Sequence, residues 1–445
     1  MDSKDDYKDP APTSRDWGCH AWSQQLPRIN TISFGVNPGS LHVRLSKALC
    51  KALDSKSRLF LPQNQLDALT PQLVKEELGR SMPMLPQSVL DDYTTQIMGM
   101  DINNAIRPWY PKKPRLFQVF IILVLLNSVG NIASFISTGI TDADLPILYF
   151  EHEPALQADS EASAARLGQC FNNWTSSSIE TFMETQWIVL SPFFAKSIDD
   201  VSLYDFKSQI ILPFLEEDQG GVSSASTGGY SNVQRIKIHH RHHDFERNQN
   251  DPYFALKKLH SKRMADFRRE VAALRKFAVS PHSHVVKLLA AFRHGTRFYL
   301  LFPWAKGDLC SFWKENTKPI IDKTLSRWTT EQFLGIADAL RQVHRDHNHN
   351  ASEARVESEE SGIVDDSRYG YHGDLKPENI LQFESGDCGG KHGLLSLSDF
   401  GLGRLHGRPQ KQVDIRPIGF TPTYRAPELD AKGTIDGEMM GSFSW

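Results

Sequence analysis

Four side chains late in the sequence are of the types that handle protons and concentrated negative charge. Asp374 is a carboxylate able to orient a hydroxyl and accept its proton. Lys376 is an ammonium that can neutralise charge gathering beside it. Asn379, five residues after Asp374, offers an amide oxygen, and Asp399 offers a second carboxylate. Those two oxygens suit a hard divalent cation. Far upstream, Lys257 lies in a strand-like run and Glu270 in the helical run that follows. Strand parity puts Ala255 and Lys257 on one face and Lys258 on the other. Glu270 is the only glutamate between Met264 and Phe277, and Asp266, one turn earlier, has a shorter reach. Glu270 is therefore the candidate if a carboxylate of this helix pairs with Lys257, an ordinary exposed helix glutamate being the other reading.

The elements that must carry these groups can be read from periodicity. Val233 to His239 alternates apolar and polar residues, as a half-buried strand does. Ile210 to Leu215 is a β-like run, and Gly220 to Gly229 is rich in Gly and Ser. Phe254 to Leu259 reads as a strand, and Met264 to Phe277 as a helix with Phe267, Val271 and Leu274 on one face. Strands are expected around Val285–Phe292 and Phe298–Phe302. A helix from Thr330 to Arg345 would place Phe333, Ile336, Ala337, Leu340 and Val343 on one side. Asp346 to Tyr369 is a polar, largely acidic insertion.

The stretch Tyr371-His372-Gly373-Asp374-Leu375-Lys376-Pro377-Glu378-Asn379-Ile380-Leu381 resembles the catalytic loop of eukaryotic-type protein kinases, H-R-D-L-x-x-x-N. Asp399-Phe400-Gly401 resembles the D-F-G turn of that family, and Thr421-Pro422-Thr423-Tyr424-Arg425-Ala426-Pro427-Glu428 the end of its activation segment. Phe254-Ala255-Leu256-Lys257 looks like V-A-I-K. Any one of these is weak; together, in this order, they are specific.

The resemblance implies an α+β, bilobal protein-kinase-like fold, with an antiparallel β-sheet N-lobe and a helical C-lobe. It implies phosphoryl transfer from ATP, with Mg²⁺, to a Ser or Thr of a protein substrate. Lysine at position 376 is similar to the Ser/Thr branch. Asp374 would be the base, Asn379 and Asp399 the metal ligands, and Lys257 the partner of the α- and β-phosphates. Thr421 would hydrogen-bond Asp374 and Lys376. The nucleotide would also meet Gly228, Gly229, Val233, Ala255, the C=O of Phe302, the N–H of Trp304, Asp308 and Leu381. Of the G-x-G-x-x-G glycines only Gly228 is matched; Ser226 and Ser231 stand at the outer two. The usual arginine before the base is Gly373, and Gly401 to Phe420 holds no Ser, Thr or Tyr, so loop phosphorylation is not expected as a switch. Little sequence follows Glu428, so the larger lobe is expected to be incomplete. A non-catalytic binding module is the competing expectation. The His372–Asn379 loop, the long helical region before it and Phe302-Pro303-Trp304 are similar to kinase-domain proteins of filamentous fungi.

On this reading residues 1–40 are a disordered tail, 41–205 a mostly helical region and 206–445 the kinase domain, divided into 206–304 and 305–445. In the helical region, Thr70 and Pro71 fit an N-cap and first helical position, with Leu73, Val74 and Leu78 sharing a face. Leu116 to Ile136 reads as a buried helix, with Gly139 as its stop. The region shows no chemistry, and an unknown partner is expected for it. The run His239 to His243 reads as polar loop filler, not a metal site. Five cysteines lack paired spacing, and no signal peptide or membrane span is expected, so a cytoplasmic or nuclear setting follows. A net charge of -3 gives no basic field for nucleic acid.

Overall fold

A computed structural model describes residues 40–99 except 55 and 57, 115–150, 153–155, 161–197, 201–215, 226–227, 231–245, 252–279, 281–344, 369–372, 374–384, 392–399, 404–406 and 422–424. Most of the expected tail and acidic insertion, most of the Gly/Ser-rich run, Gly373 and the Ala426-Pro427-Glu428 triplet lie outside the described residues.

The alternation in Ser231–Ile238 and Tyr253–Leu259 sorts side chains to the two faces of a sheet. Val233, Arg235 and Lys237 stand opposite Lys257, Ala255 and Tyr253 on one face. Ile236, Ile238, Phe254 and Leu256 bury themselves on the other. Among the described residues this sheet has seven strands. Its path runs Ser202–Phe206, Ala290–His294, Arg297–Pro303, Tyr253–Leu259, Ser231–Ile238, Phe214–Leu215, and Ser226–Thr227 also pairs with Ser231–Ile238. All pairings are antiparallel except that of Ser202–Phe206 with Ala290–His294, which is parallel. The boundary expected between 205 and 206 thus falls inside a strand of the sheet. The chain is a mixed α+β protein.

The helix Met264–Val279 lies against the first face, that of Ala255 and Lys257, through Phe267, Val271, Leu274 and Phe277, which share a buried cluster with Leu259, Phe298 and Leu300. The same buried cluster continues into the helix Lys323–His344 and the strands Ile380–Phe383 and Leu394–Leu397. That long helix starts earlier than its apolar pattern implied, because Asp322 caps it: Oδ1 accepts the Leu325 N–H at 2.7 Å. Its buried face is Trp328, Gln332, Ile336, Ala339, Leu340 and Val343, whereas Phe333 and Ala337 are exposed. The i+3/i+4 steps from Trp328 account for this, since Phe333 lies about 100° around the helix from Gln332.

Upstream, Thr70 caps the helix Pro71–Ser81 by accepting the Leu73 N–H, and Val74 and Leu78 are fully buried. The apolar run forms only Phe117–Leu125, with Val119 to Leu125 buried at the centre of a helical core. The expected continuous helix breaks at Asn127, which has φ 51, and resumes as Ile132–Thr138 before Gly139 at φ 65. Nine residues make a helix about 14 Å long, against ~30 Å of hydrocarbon. No described helix is long and apolar enough to cross a membrane. The histidine run departs from its expected solvation: His239, His242 and His243 are buried, packed between the helical region and the sheet. No group of three or more His, Cys, Asp or Glu among the described residues is placed to hold a metal.

Candidate active site

Strand pairing delivers Lys257 to the face that meets the helix Met264–Val279, and burial there leaves it 8% exposed. A buried ammonium must be paired, and this one has two carboxylates. Its Nζ lies 2.8 Å from Glu270 Oε1 and 2.8 Å from Asp399 Oδ1. Burial opposes the charge, but the fields and hydrogen bonds of Glu270 and Asp399 outweigh it and hold the ammonium above the usual lysine range. Asp399 reaches Lys257 from a left-handed turn, φ 59, a conformation that aspartate tolerates better than most residues. Lys258 stands on the opposite face, across from Tyr299.

A second group gathers on the loop after Tyr369–Tyr371. Lys376 Nζ donates to Asp374 Oδ2 at 2.6 Å. The Asn379 amide nitrogen donates to the Asp374 C=O at 2.8 Å and to Oδ2 at 3.1 Å, which leaves the amide oxygen as its acceptor end. The Asn379 C=O in turn accepts the N–H of Ser398 at 2.8 Å and its hydroxyl at 3.0 Å. Ser398 precedes Asp399. The contacts therefore run unbroken from Glu270 through Lys257, Asp399, Ser398, Asn379 and Asp374 to Lys376.

Two members of this arrangement were assigned no role from the sequence, although His372 stands at the histidine of the H-R-D-like stretch. His372 is fully buried and ties both segments: its Nε2–H donates to the Ser398 C=O at 2.8 Å, and its Nδ1 accepts the Asp374 N–H at 3.4 Å. That pattern requires the neutral ring, and burial lowers its pKa accordingly. Ser398 is the other. Their work is done on backbone groups, so their residue types alone do not announce it.

The remaining expected residues lie along the same sheet face and beyond it. Val233 pairs in register with Lys257, and Ala255 with Phe302. Leu381 pairs with Asp308. The Asp308 carboxylate caps the helix Leu309–Glu315 by accepting the Ser311 N–H at 2.7 Å. The Trp304 N–H, expected to face an adenine edge, donates to the Tyr253 C=O at 3.3 Å. Arg235 lies over the rings of Tyr253 and Trp304, 4.5 and 5.7 Å from their centroids. Ser226 pairs with Val233 and Thr227 with Asn232. Gly228, Gly229 and Thr421 lie outside the described residues.

No family model matches the chain. It is similar to CBL-interacting serine/threonine-protein kinase 20 of Arabidopsis thaliana, 28% identical over 170 residues, 38% of this chain and 30% of that protein. It is similar to cyclin-dependent kinase 20 of Danio rerio, 28% identical over 180 residues, 39% and 42% of the two chains. Cyclin-dependent kinase 7 of Dictyostelium discoideum is 31% identical over 148 residues, 33% and 31%. The chain thus spans between 30% and 42% of the length of these relatives. Over part of its length it is distantly similar to serine/threonine protein kinases.

Proposed function

We propose that this chain carries the catalytic core of a serine/threonine protein kinase, moving the γ-phosphoryl group of ATP to a Ser or Thr hydroxyl of a protein. The supporting observation is the continuous path of contacts from Glu270 to Lys376. The donor set fits the cofactor: Asp399 and Asn379 offer carboxylate and amide oxygens, the ligands a Mg²⁺ accepts, and Lys257 offers a fixed cation for phosphate oxygens. When bound, MgATP supplies the transferable phosphoryl group and a divalent charge beside it. Glu270 holds Lys257 in place. Asp374 orients the substrate hydroxyl and takes its proton as the oxygen forms its bond to the γ-phosphorus and the β–γ bridging oxygen leaves with ADP. Lys376 sits on Asp374 Oδ2, where negative charge on the moving group would be offset. The nucleotide-binding role of Val233, Ala255, Phe302, Trp304, Asp308 and Leu381 belongs to the same proposal, as do Gly228, Gly229, Thr421 and the likeness to fungal kinase-domain proteins.

A second reading, a non-catalytic module, is favoured by one observation: the Trp304 N–H is already engaged by Tyr253. The two readings part on one experiment with γ-labelled ATP and a mixed Ser/Thr protein acceptor. For the enzyme, Asp374→Asn lowers transfer at least about 100-fold while MgATP affinity stays within about twofold of wild type. Equal transfer by both proteins would remove Asp374 from the reaction. Absent transfer, with a thermal shift on adding MgATP, would leave the binding module.

A further inference from the structure

The helical N-terminal region meets the sheet of its own chain at three places. At one edge, the Leu53 N–H donates to the Phe214 C=O at 2.6 Å and Ala52 bridges Leu215, so the chain beside the Cys50–Lys51/Leu59–Phe60 hairpin abuts the sheet edge. Over the outer face, Phe194 is fully buried among Tyr204, Phe206, Phe214 and Phe292, with ring centroids between 5.5 and 6.0 Å apart. His242 fastens this contact, since its Nδ1–H donates to the Pro192 C=O at 2.8 Å and its Nε2 accepts the Gln63 N–H at 3.1 Å. At the far edge, Ser202–Phe206 adds the parallel strand on Ala290–His294, and Asp205 and Arg293 form an ion pair across it.

The start of that last strand leads toward the site. Tyr204 and Phe206 turn to the outer face, and Val201, of opposite parity, turns to the other. Val201 is 4% exposed and belongs to the buried cluster that contains Phe267, Val271 and Leu274. Those three residues are the buried face of the helix Met264–Val279, which carries Glu270. We infer that Phe194 and the strand segment 201–206 brace the Glu270 helix from within the chain. Val201 is a positioning residue for the Lys257–Glu270 pair, and the partner of the helical region is this chain's own sheet. The physical reason is close packing. Interiors transmit small volume changes, and a helix held on one face shifts when methyl groups are removed from under it. A 2.8 Å ion pair at its surface registers such a shift. The functional readout rests on the kinase reading; the structural one does not.

The full-length chain tests this with Val201→Ala, Val201→Ile as the conservative rescue, and Leu203→Ala as a control, since Leu203 is 52% exposed two residues on. Amide hydrogen exchange is followed along the chain, and MgATP affinity is titrated. In Val201→Ala, exchange in Met264–Val279 is expected to quicken about fivefold or more, with Phe117–Leu125 unchanged, and MgATP to bind about fivefold more weakly. Val201→Ile and Leu203→Ala should match wild type in both. In a Glu270→Gln background, Val201→Ala should cost no further MgATP affinity, because the path it acts through is already cut. Unchanged exchange in the Glu270 helix, or faster exchange spread evenly over the molecule, overturns the inference. Wild-type protein that binds no MgATP would sink the kinase reading alone, and the exchange pattern would still decide the brace.

Discussion

At Lys257 two opposed effects can be weighed. Burial removes solvation from the ammonium, and the carboxylates of Glu270 and Asp399 return more than was lost. The group stays charged across the physiological range, so it is a fixed cation and not a switch. Removing it leaves two acidic side chains facing each other without their counter-ion, whereas Lys258 projects from the other face. Lys257→Ala is therefore expected to lower phosphoryl transfer at least about tenfold more than Lys258→Ala, measured as kcat/KM for ATP. The reverse order would mean that the strand's parity does not govern the chemistry. This placement was legible beforehand because strand parity is rigid: alternate residues must part. The position of His372 was legible in the H-R-D-like stretch, but its role was not, because the two backbone groups it serves lie in segments that only the fold brings together. The engagement of Trp304 was hidden for a related reason. It depends on where the Tyr253–Leu259 ladder ends, and pattern does not set strand ends.

Among the elements, the helix Lys323–His344 leaves no room for a side chain at Gly335. A Cβ there would run into the His284 ring, which is anchored by its Nδ1–H donating to the Leu395 C=O at 2.7 Å. The ring cannot retreat without breaking that bond. Gly335→Ala should destabilise the chain by about 1–3 kcal/mol despite the better helix propensity of alanine, read as a lower urea midpoint at unchanged slope. A gain in stability would show that the ring relocates freely. Thr70→Ala should cost about 1 kcal/mol through the lost cap, by the same measurement. The Thr70-Pro71 start was readable because cap chemistry is local. The short strands Cys50–Lys51 and Leu59–Phe60 were not, since two residues carry no period. The register error on the long helix, which put Phe333 inside, came from starting it at Thr330 and missing the cap at Asp322.

For the molecule as a whole, burial holds His242, His284, His294 and His372 below the ordinary imidazole value of 6.5. Folded, they are neutral; unfolded, they take up protons more readily as pH drops below 6.5. The stability they confer is complete above that value and is lost as pH falls through their folded pKa values. Asp142, pushed up to about 6 chiefly by burial, acts with the opposite sign, its contribution returning as pH falls through about 6. One carboxyl opposes four imidazoles, so the thermal midpoint should fall between about pH 7.5 and about pH 5.5. A midpoint that climbs over that interval would contradict the assignment of neutral rings. Fold class was legible at this scale, because helical and strand periods segregate along the chain. The union of the helical region with the sheet was not, because contacts made so far apart in sequence leave no local trace. That separation also matters to a ribosome. Asp205 leaves the exit tunnel 88 residues ahead of Arg293, an interval of about 4–18 s at ordinary elongation rates. Throughout it, the strand Ser202–Phe206 lacks its pairing partner and the Phe194 cluster lacks Phe292, and a sticky nascent segment of this kind depends on chaperone cover.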